Sequence, residues 1–428
     1  MTDAPATAPA ADYALTDARI VDVVAGEIVE GRAVVVAGDR IAAIVDPATL
    51  DDALPRVALG GRYLAPGLID CHMHCFIGQF RDGKSVLPSE MTARAGVHLE
   101  GMLHRGFTTV RDAGGADYGH KAAVAKGLFW GPRMFVSGRI LSQTGGHGDH
   151  RGRADTSSWE SDLSGISIIA DGVEAVRQAA RQNLRQGVDQ IKIMAGGGVS
   201  SPADELARPQ FSMDELNAIV DEAQRWGKYV MAHVYADAGI RRIVEAGVRS
   251  IEHGNFLTRE TAKVMHDHDA HLVPTLITYE ADGKYGASFG WAPENAAKNA
   301  EVLASGLHSL EAAMAEGVNI GYGTDLCWSP KRYQGDGLLI HQKVCGPVEA
   351  LRHATINNAR VVRMEGQIGV IAAGAYADMI VIDANPLANL ACLSQHDNRI
   401  VAVVQGGRAV RDDKALMGDF ASDRPLRA

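Results

Sequence analysis

Residues 64–75 read LAPGLIDCHMHC, an apolar run that closes on two histidines one residue apart. The run 64–70 has the length and composition of a buried strand, and it feeds directly into His72 and His74. Strand side chains alternate between two faces, so Asp70, His72 and His74 share one face while Cys71 and Cys75 share the other. Two histidines on one face can meet one metal ion. The same alternation turns both cysteines away from them, which opposes a cysteine-based zinc knuckle. Alone, a His-x-His pair is also read as two unrelated polar residues at a strand end.

The rest of the chain supplies the context. Short apolar runs at 64–70, 107–112, 133–137, 190–195, 229–234, 250–253, 271–276 and 319–323 are candidate strands, separated by segments of helical period. Between 213 and 226, Met213, Leu216, Ile219, Val220 and Ala223 keep the spacing of a helix packed on one face. Strand and helix alternating in this way predict an α/β fold, a (β/α)8 TIM-like barrel across 64–365, with its chemistry at the carboxyl ends of the strands. No self-similar repeat suggests a solenoid or propeller. Both ends are β-rich instead, with strands at 18–21, 33–36 and 41–45 and again at 377–383, 400–404 and 409–410. Neither end alone has enough strands for a core. Residues 12–63 plus 366–428 are therefore predicted to pair into one small, sandwich-like composite β domain, preceded by a disordered Ala/Pro-rich tail at 1–11.

Composition narrows the function. With 428 residues, 46% of them apolar and only 6% aromatic, the chain must fold around a large core. Its net charge of −10 offers no positive field for nucleic acid or an anionic membrane, leaving a small molecule as the partner. Five cysteines are too few, and odd in number, for a disulfide framework and point to a reducing compartment. The start lacks a basic and apolar leader, and no apolar stretch approaches the roughly 18 residues of a membrane helix. A cytoplasmic location is expected, or a secreted or periplasmic one if a signal peptide has been removed.

Four more residues fall where a barrel would place its chemistry. Lys192 interrupts the apolar run 191–194, His233 and His253 end the runs 230–233 and 250–253, and Asp325 closes 320–325. A lone histidine on an apolar run is more often a core residue, and a strand lysine more often an edge charge. Their coincidence at one barrel rim favours a joint role. Imidazoles and a carboxylate suit Zn²⁺ or a similar metal. An ammonium cannot ligate a cation, but desolvation would expose the neutral amine of Lys192, which could add carbon dioxide and bridge two metals as a carbamate. A pair of divalent ions could then activate water and polarise a carbonyl, with Asp325 taking the proton and delivering it to a leaving amine.

This set, His72, His74, Lys192, His233, His253 and Asp325, with the entry phrase APGLIDCHMH and the exit phrase ADMIVIDANPL, resembles the amidohydrolase superfamily across nearly the whole chain. The phrases TTVRD at 108–112, IKIMAGGGV at 191–199 and ALRHAT at 350–355 resemble its imidazolonepropionase-like branch. That branch includes metal-dependent carboxypeptidases, prolidase-like dipeptidases and hydrolases that split ochratoxin A into an isocoumarin acid and phenylalanine. The resemblance implies a two-metal hydrolase of amides to a C-terminal, hydrophobic amino acid, and a homo-oligomer, with an octamer among the forms it allows.

Substrate contacts are sought nearby. Tyr235 lies two positions after His233, on the same strand face, and the resemblance implies that it meets the substrate's carbonyl or carboxylate. Gly196-Gly197-Gly198-Val199 follows the Lys192 strand, and free N–H groups there, including those of Gly198 and Val199, could form a carboxylate nest. His147 sits on the long loop after the third strand and is read either as a substrate contact or as a solvated loop residue. Segments 142–168 and 278–300, with Trp159 and Trp291, are candidate lids, and His341 is the remaining histidine of interest. Two other functions compete: opening of a cyclic amide or imidazolone, and a non-catalytic barrel scaffold.

Overall fold

The structure is a computed structural model that describes residues 12–76, 87–152, 154–156, 166–201, 204–327, 329–395 and 398–421. The tail at 1–11 and residues 153 and 157–165 of the first proposed lid, Trp159 among them, lie outside these residues.

Strands from both ends build one eight-stranded sheet. Tyr13–Asp22 lies at its centre, flanked by Ala33–Ala37 and Arg40–Val45 on one side and by Arg56–Pro66, Met379–Ile382, Ile400–Gln405 and Arg408–Asp412 on the other. The sheet folds back on itself. The Ile41 N–H donates to Ala375 O at 2.8 Å, and the Tyr13 hydroxyl donates to Gly407 O at 2.9 Å. A core of Leu15, Ile20, Val34, Leu64, Val381 and Val404 fills the fold, so N- and C-terminal strands bury each other's apolar faces.

All eight apolar runs at 64–323 contribute strand, with one shift of boundary. Leu64 belongs to Arg56–Pro66 of the terminal sheet, where it pairs with Val381, and the first barrel strand is Leu68–Met73. The chain thus passes from one sheet to the next within a single apolar run, and His72 stands in the strand rather than beyond it. Arg56–Pro66 itself escapes a hydrophobic-pattern reading because Gly60 and Gly61, at φ 62° and 72°, interrupt it. Here the register against Tyr13–Asp22 shifts, which left-handed glycines permit without steric cost.

The other barrel strands are Phe107–Asp112, Arg133–Phe135, Ile191–Met194, Val230–Val234, Ser250–His253, His271–Val273 and Asn319–Ile320, all running parallel where they pair. The ring closes through hydrogen bonds from Cys71 N–H to Tyr322 O and from Asp325 N–H to His72 O, at 2.8 and 2.7 Å. The helices between are amphipathic. Met213–Arg225 starts at a Ser212/Glu215 capping box and buries Leu216, Ile219, Val220 and Ala223 on the barrel. Among the described residues, no helix is long and apolar enough to cross a membrane.

Candidate metal centre and active-site cleft

His72, His74, Lys192, His233, His253 and Asp325, drawn from five barrel strands and their ends, line one cleft. Hydrogen bonds to carboxylate or carbonyl oxygens fix which ring nitrogen of His72, His74 and His233 is free. The His72 Nδ1–H donates to Glu252 Oε2 at 2.6 Å, and the His74 Nδ1–H donates to Gly114 O at 2.8 Å. Both therefore present the Nε2 lone pair to the cleft. The His233 Nε2–H donates to Gly197 O at 3.0 Å, which frees Nδ1, and His253 Nδ1 pairs with Thr275 Oγ1 at 2.7 Å, leaving Nε2.

Lone pairs then face lone pairs. Asp325 Oδ1 lies 3.3 Å from His74 Nε2 and 3.6 Å from His72 Nε2, and the latter atom is buried with no hydrogen-bond partner. Protonating the rings would relieve this, but burial pushes His74 down to about 3 and His72, His233 and His253 well below the ordinary imidazole range. A cation between these atoms resolves the conflict. Donor atoms of His72, His253 and Asp325 lie within 4.8 Å of one another, as do those of His74, Asp325 and Cys327, so the residues fit divalent metal. Lys192 is buried beside them and burial lowers its pKa, favouring the neutral amine that carboxylation requires. Burial likewise raises Asp325, to about 6.

The backbone is strained at two of these residues. His253 has φ 72° and Asp325 φ 50°, left-handed values uncommon for side chains larger than glycine. Strict alternation would put Glu252 and His253 on opposite faces of the strand. The turn at His253 lets Glu252 support His72 from inside the barrel while His253 still reaches the cleft.

Several residues that pattern reading passed over complete the site. Glu252 is fully buried and accepts hydrogen bonds from Arg111 Nη2 at 2.8 and 2.9 Å and from Ser250 Oγ at 2.6 Å. Period-two alternation with Ser250 was the available signal for it. Asp112 accepts from the N–H groups of Cys75, Gly114 and Ala116, which shapes the turn that holds His74. Asp70 does not line the cleft; it accepts from Thr324 and Gln334 and ties the first barrel strand to the last. Cys71 and Cys75 pack into separate apolar clusters, whereas Cys327 donates to Asp325 Oδ1 at 3.0 Å.

Among the proposed substrate contacts, Tyr235, His147 and Val199 line the cleft. The Tyr235 ring stands 4.9 Å from His233, and its hydroxyl accepts from Tyr279, whose own hydroxyl meets Thr275 Oγ1 at 3.2 Å. His147 stacks on His233 at 4.2 Å and is not solvated; Ser201 Oγ meets its Nδ1 at 2.7 Å and donates to Asp204. The glycine nest is a correction. The Gly198 N–H donates to Asp204 Oδ2 at 3.0 Å, so the chain's own carboxylate takes the place of a ligand. Gly198 is needed for another reason: a Cβ there would lie 1.9 Å from the His147 ring. Trp291 lines the cleft. His341 does not; it meets His353 Nδ1 to Nδ1 at 2.8 Å, both rings buried.

Comparisons with known proteins agree with this architecture. The amidohydrolase family model matches residues 63–410, and the NagA composite domain matches 13–64. The chain is 32% identical to the ochratoxinase of Aspergillus niger over 368 residues, 81% of this chain and 75% of that one. A prolidase crystallised with N-methylphosphonate-L-proline is 43% identical, with TM-score 0.91 over 94% of this chain and 99% of its own. A Xaa-Pro dipeptidase with bound methionine is 27% identical, with TM-score 0.84 over 93% and 99%. The chain belongs to the amidohydrolase family and is a hydrolase acting on amide C–N bonds.

Proposed function

We propose that the chain cleaves the amide bond between an acyl group and a C-terminal amino acid with a hydrophobic or aromatic side chain, in the manner of a carboxypeptidase. The carrying observation is the set of lone pairs on His72, His74 and Asp325 converging without a proton between them. His72, His74, His233, His253 and Asp325 would hold two divalent ions, Zn²⁺ by donor type, and Lys192, once carboxylated, would add a carbamate to the same donor set. When bound, such ions supply Lewis acidity, which polarises an amide carbonyl and makes a water acidic near neutral pH.

The chain's own groups do the rest. Asp325, raised towards neutrality by burial, accepts the proton of the attacking water and passes it to the leaving amine. Tyr279 donates to Tyr235, which leaves the Tyr235 hydroxyl proton free to meet a substrate oxygen. Val199, Tyr235, Tyr279 and Trp291 form an apolar wall, backed by Phe256, that suits an aromatic side chain. The likeness to an ochratoxinase, a prolidase and a Xaa-Pro dipeptidase supports this substrate class.

The test is release of free amino acid from ochratoxin A, N-acyl amino acids and dipeptides by metal-loaded enzyme, read by chromatography. Phenylalanine from ochratoxin A is the expected product; a preference of several orders of magnitude for dipeptides removes that substrate, and no release from any removes the reading. Asp325→Asn with metals bound and turnover near wild type would remove the proton transfer. One observation favours a second reading: among the described residues no arginine lines the cleft, so a neutral cyclic amide, which needs no carboxylate partner, also suits it. Ring opening of an imidazolone, followed by ultraviolet absorbance, tests that reading. A homo-oligomer is the proposed assembly, checked by light scattering.

A further inference from the structure

The cleft contains a carboxylate that the amide chemistry does not use. Asp282, on the helix Leu276–Tyr285 after the seventh barrel strand, lines the cleft with Tyr279 and Trp291 and is buried to all but 7% of its surface. Its Oδ1 accepts from Ser329 Oγ at 2.5 Å, and among the described residues its Oδ2 has only a long contact of 3.5 Å from Thr278 Oγ1. Among the described residues no salt bridge reaches it; Lys331 acts on it only through space, its ammonium donating instead to Cys327 O at 2.9 Å. A carboxylate withdrawn from water without a counter-charge is costly, and burial accordingly pushes Asp282 up to about 7. A packing role alone would be served by an uncharged residue. A carboxylate kept at a cleft wall, half satisfied, is the arrangement of a site that waits for a positive partner.

We propose that Asp282 binds a cationic nitrogen carried by the substrate, so that the enzyme selects amides bearing an ammonium group over their neutral counterparts. The inference rests on the amide-hydrolase reading and refines it. Ammonium reaches a cleft of this kind from two sources: the free α-amine on the acyl side of a dipeptide, or a basic side chain on the C-terminal residue. Either would pair directly with the carboxylate and complete the hydrogen bonding of Oδ2. Ochratoxin A carries no such nitrogen and is expected to be turned over without help from Asp282.

The experiment compares wild type with Asp282→Asn on two pairs of substrates. Ala-Phe against N-acetyl-Ala-Phe reads the α-amine; N-acetyl-Ala-Lys against N-acetyl-Ala-Met reads the side chain. Wild type is expected to favour the cationic member of one pair at least 10-fold in kcat/KM. Asp282→Asn is expected to bring that ratio within about 3-fold, chiefly by raising KM. The pair that responds names the source. Equal rates within both pairs in wild type, or an equal loss on cationic and neutral members in the variant, would overturn the proposal. Asp282→Glu guards against a variant that fails to fold: it keeps a carboxylate at this wall and is expected to keep the cation preference. Should none of the four be hydrolysed, calorimetric binding of the same compounds still decides Asp282, and the amide reading falls by itself only if ochratoxin A and the simple N-acyl amino acids are left intact as well. Cation-selective binding lost in Asp282→Asn upholds it; unselective or absent binding overturns it.

Discussion

Replacing Glu252 by Gln tests whether the centre is built from inside the barrel. Three donors converge on this buried carboxylate: Arg111, Ser250 and the Nδ1–H of His72. A carboxamide has one acceptor oxygen, so its NH2 must face at least one of them, and Arg111 is left as a buried charge without its partner. Breaking a buried ion pair in this way costs about 3–5 kcal/mol of stability. The second effect is on metal. Without a carboxylate to hold the Nδ1 proton, His72 is free to present the wrong nitrogen, and loss of such an outer partner typically weakens metal binding about 10–100-fold. Zinc competition against a coloured chelator measures the affinity, and thermal unfolding of metal-free protein measures the stability. The double variant Arg111→Met/Glu252→Leu separates the two effects: it removes the stranded charge and should recover most of the stability, yet His72 still lacks its acceptor and affinity stays low. Wild-type zinc affinity in Glu252→Gln would refute the reasoning.

Other outcomes follow from single contacts. Tyr279→Phe removes the donor that orients Tyr235, and Tyr235→Phe removes the proton itself; kcat is expected to fall about 100-fold in the second and distinctly less in the first, by the usual worth of an oriented donor. Equal, small effects would show that neither hydroxyl meets substrate. Gly198→Ala drives a methyl into the His147 ring, so KM should rise and stability fall, measured by steady-state kinetics and thermal melting; unchanged kinetics would free His147 of any substrate role. Burial lowers His341 to about 4, so the unfolded chain takes up a proton below about pH 6.5 that the folded chain refuses. The stability is therefore present above pH 6.5 and lost as pH falls, up to about 3 kcal/mol by pH 4. His341→Gln should show a shallower loss than wild type in denaturant melts across that range, and parallel curves would contradict it.

How far the sequence carried depends on which residues obey local rules. The barrel strands were legible because apolar runs and helical stripes alternate, and His72, His74, Lys192, His233, His253 and Asp325 stood out because polar residues in or at the ends of such runs recur at one barrel rim, where the structure gathers them along one cleft. What failed was anything set by a specific side-chain or strand partner that no periodicity encodes. Gly198 looked like an anion nest because a glycine run exposes N–H groups, yet Asp204 fills it from six residues away. Asp282 lies in a helix with no sharp hydrophobic stripe, so no periodicity marks it as facing the cleft. The boundary at Pro66 was invisible because both sides of it are apolar; only the partners, Met379 on one side and Phe107 on the other, distinguish the two sheets.

The strained residues show why the site could be found and yet not built from pattern alone. Period-two alternation assigns Ser250 and Glu252 to the barrel interior and sends His253 to the other face. The left-handed φ at His253 breaks that assignment and brings the support of one ligand and a second ligand from adjacent positions of one strand. Asp325 does the same at the closing strand: its N–H donates to His72 O while its carboxylate faces the His72 ring. Each such turn costs about 1–3 kcal/mol and persists only if the surroundings over-determine it. Here the surroundings are the Arg111–Glu252 pair below and Thr275 and His72 beside, so the polar interior of the barrel and the strain at its rim are parts of one arrangement. Relaxing either φ would return a proposed ligand to the wrong face, so ordinary strand geometry at these two positions is incompatible with the proposed centre.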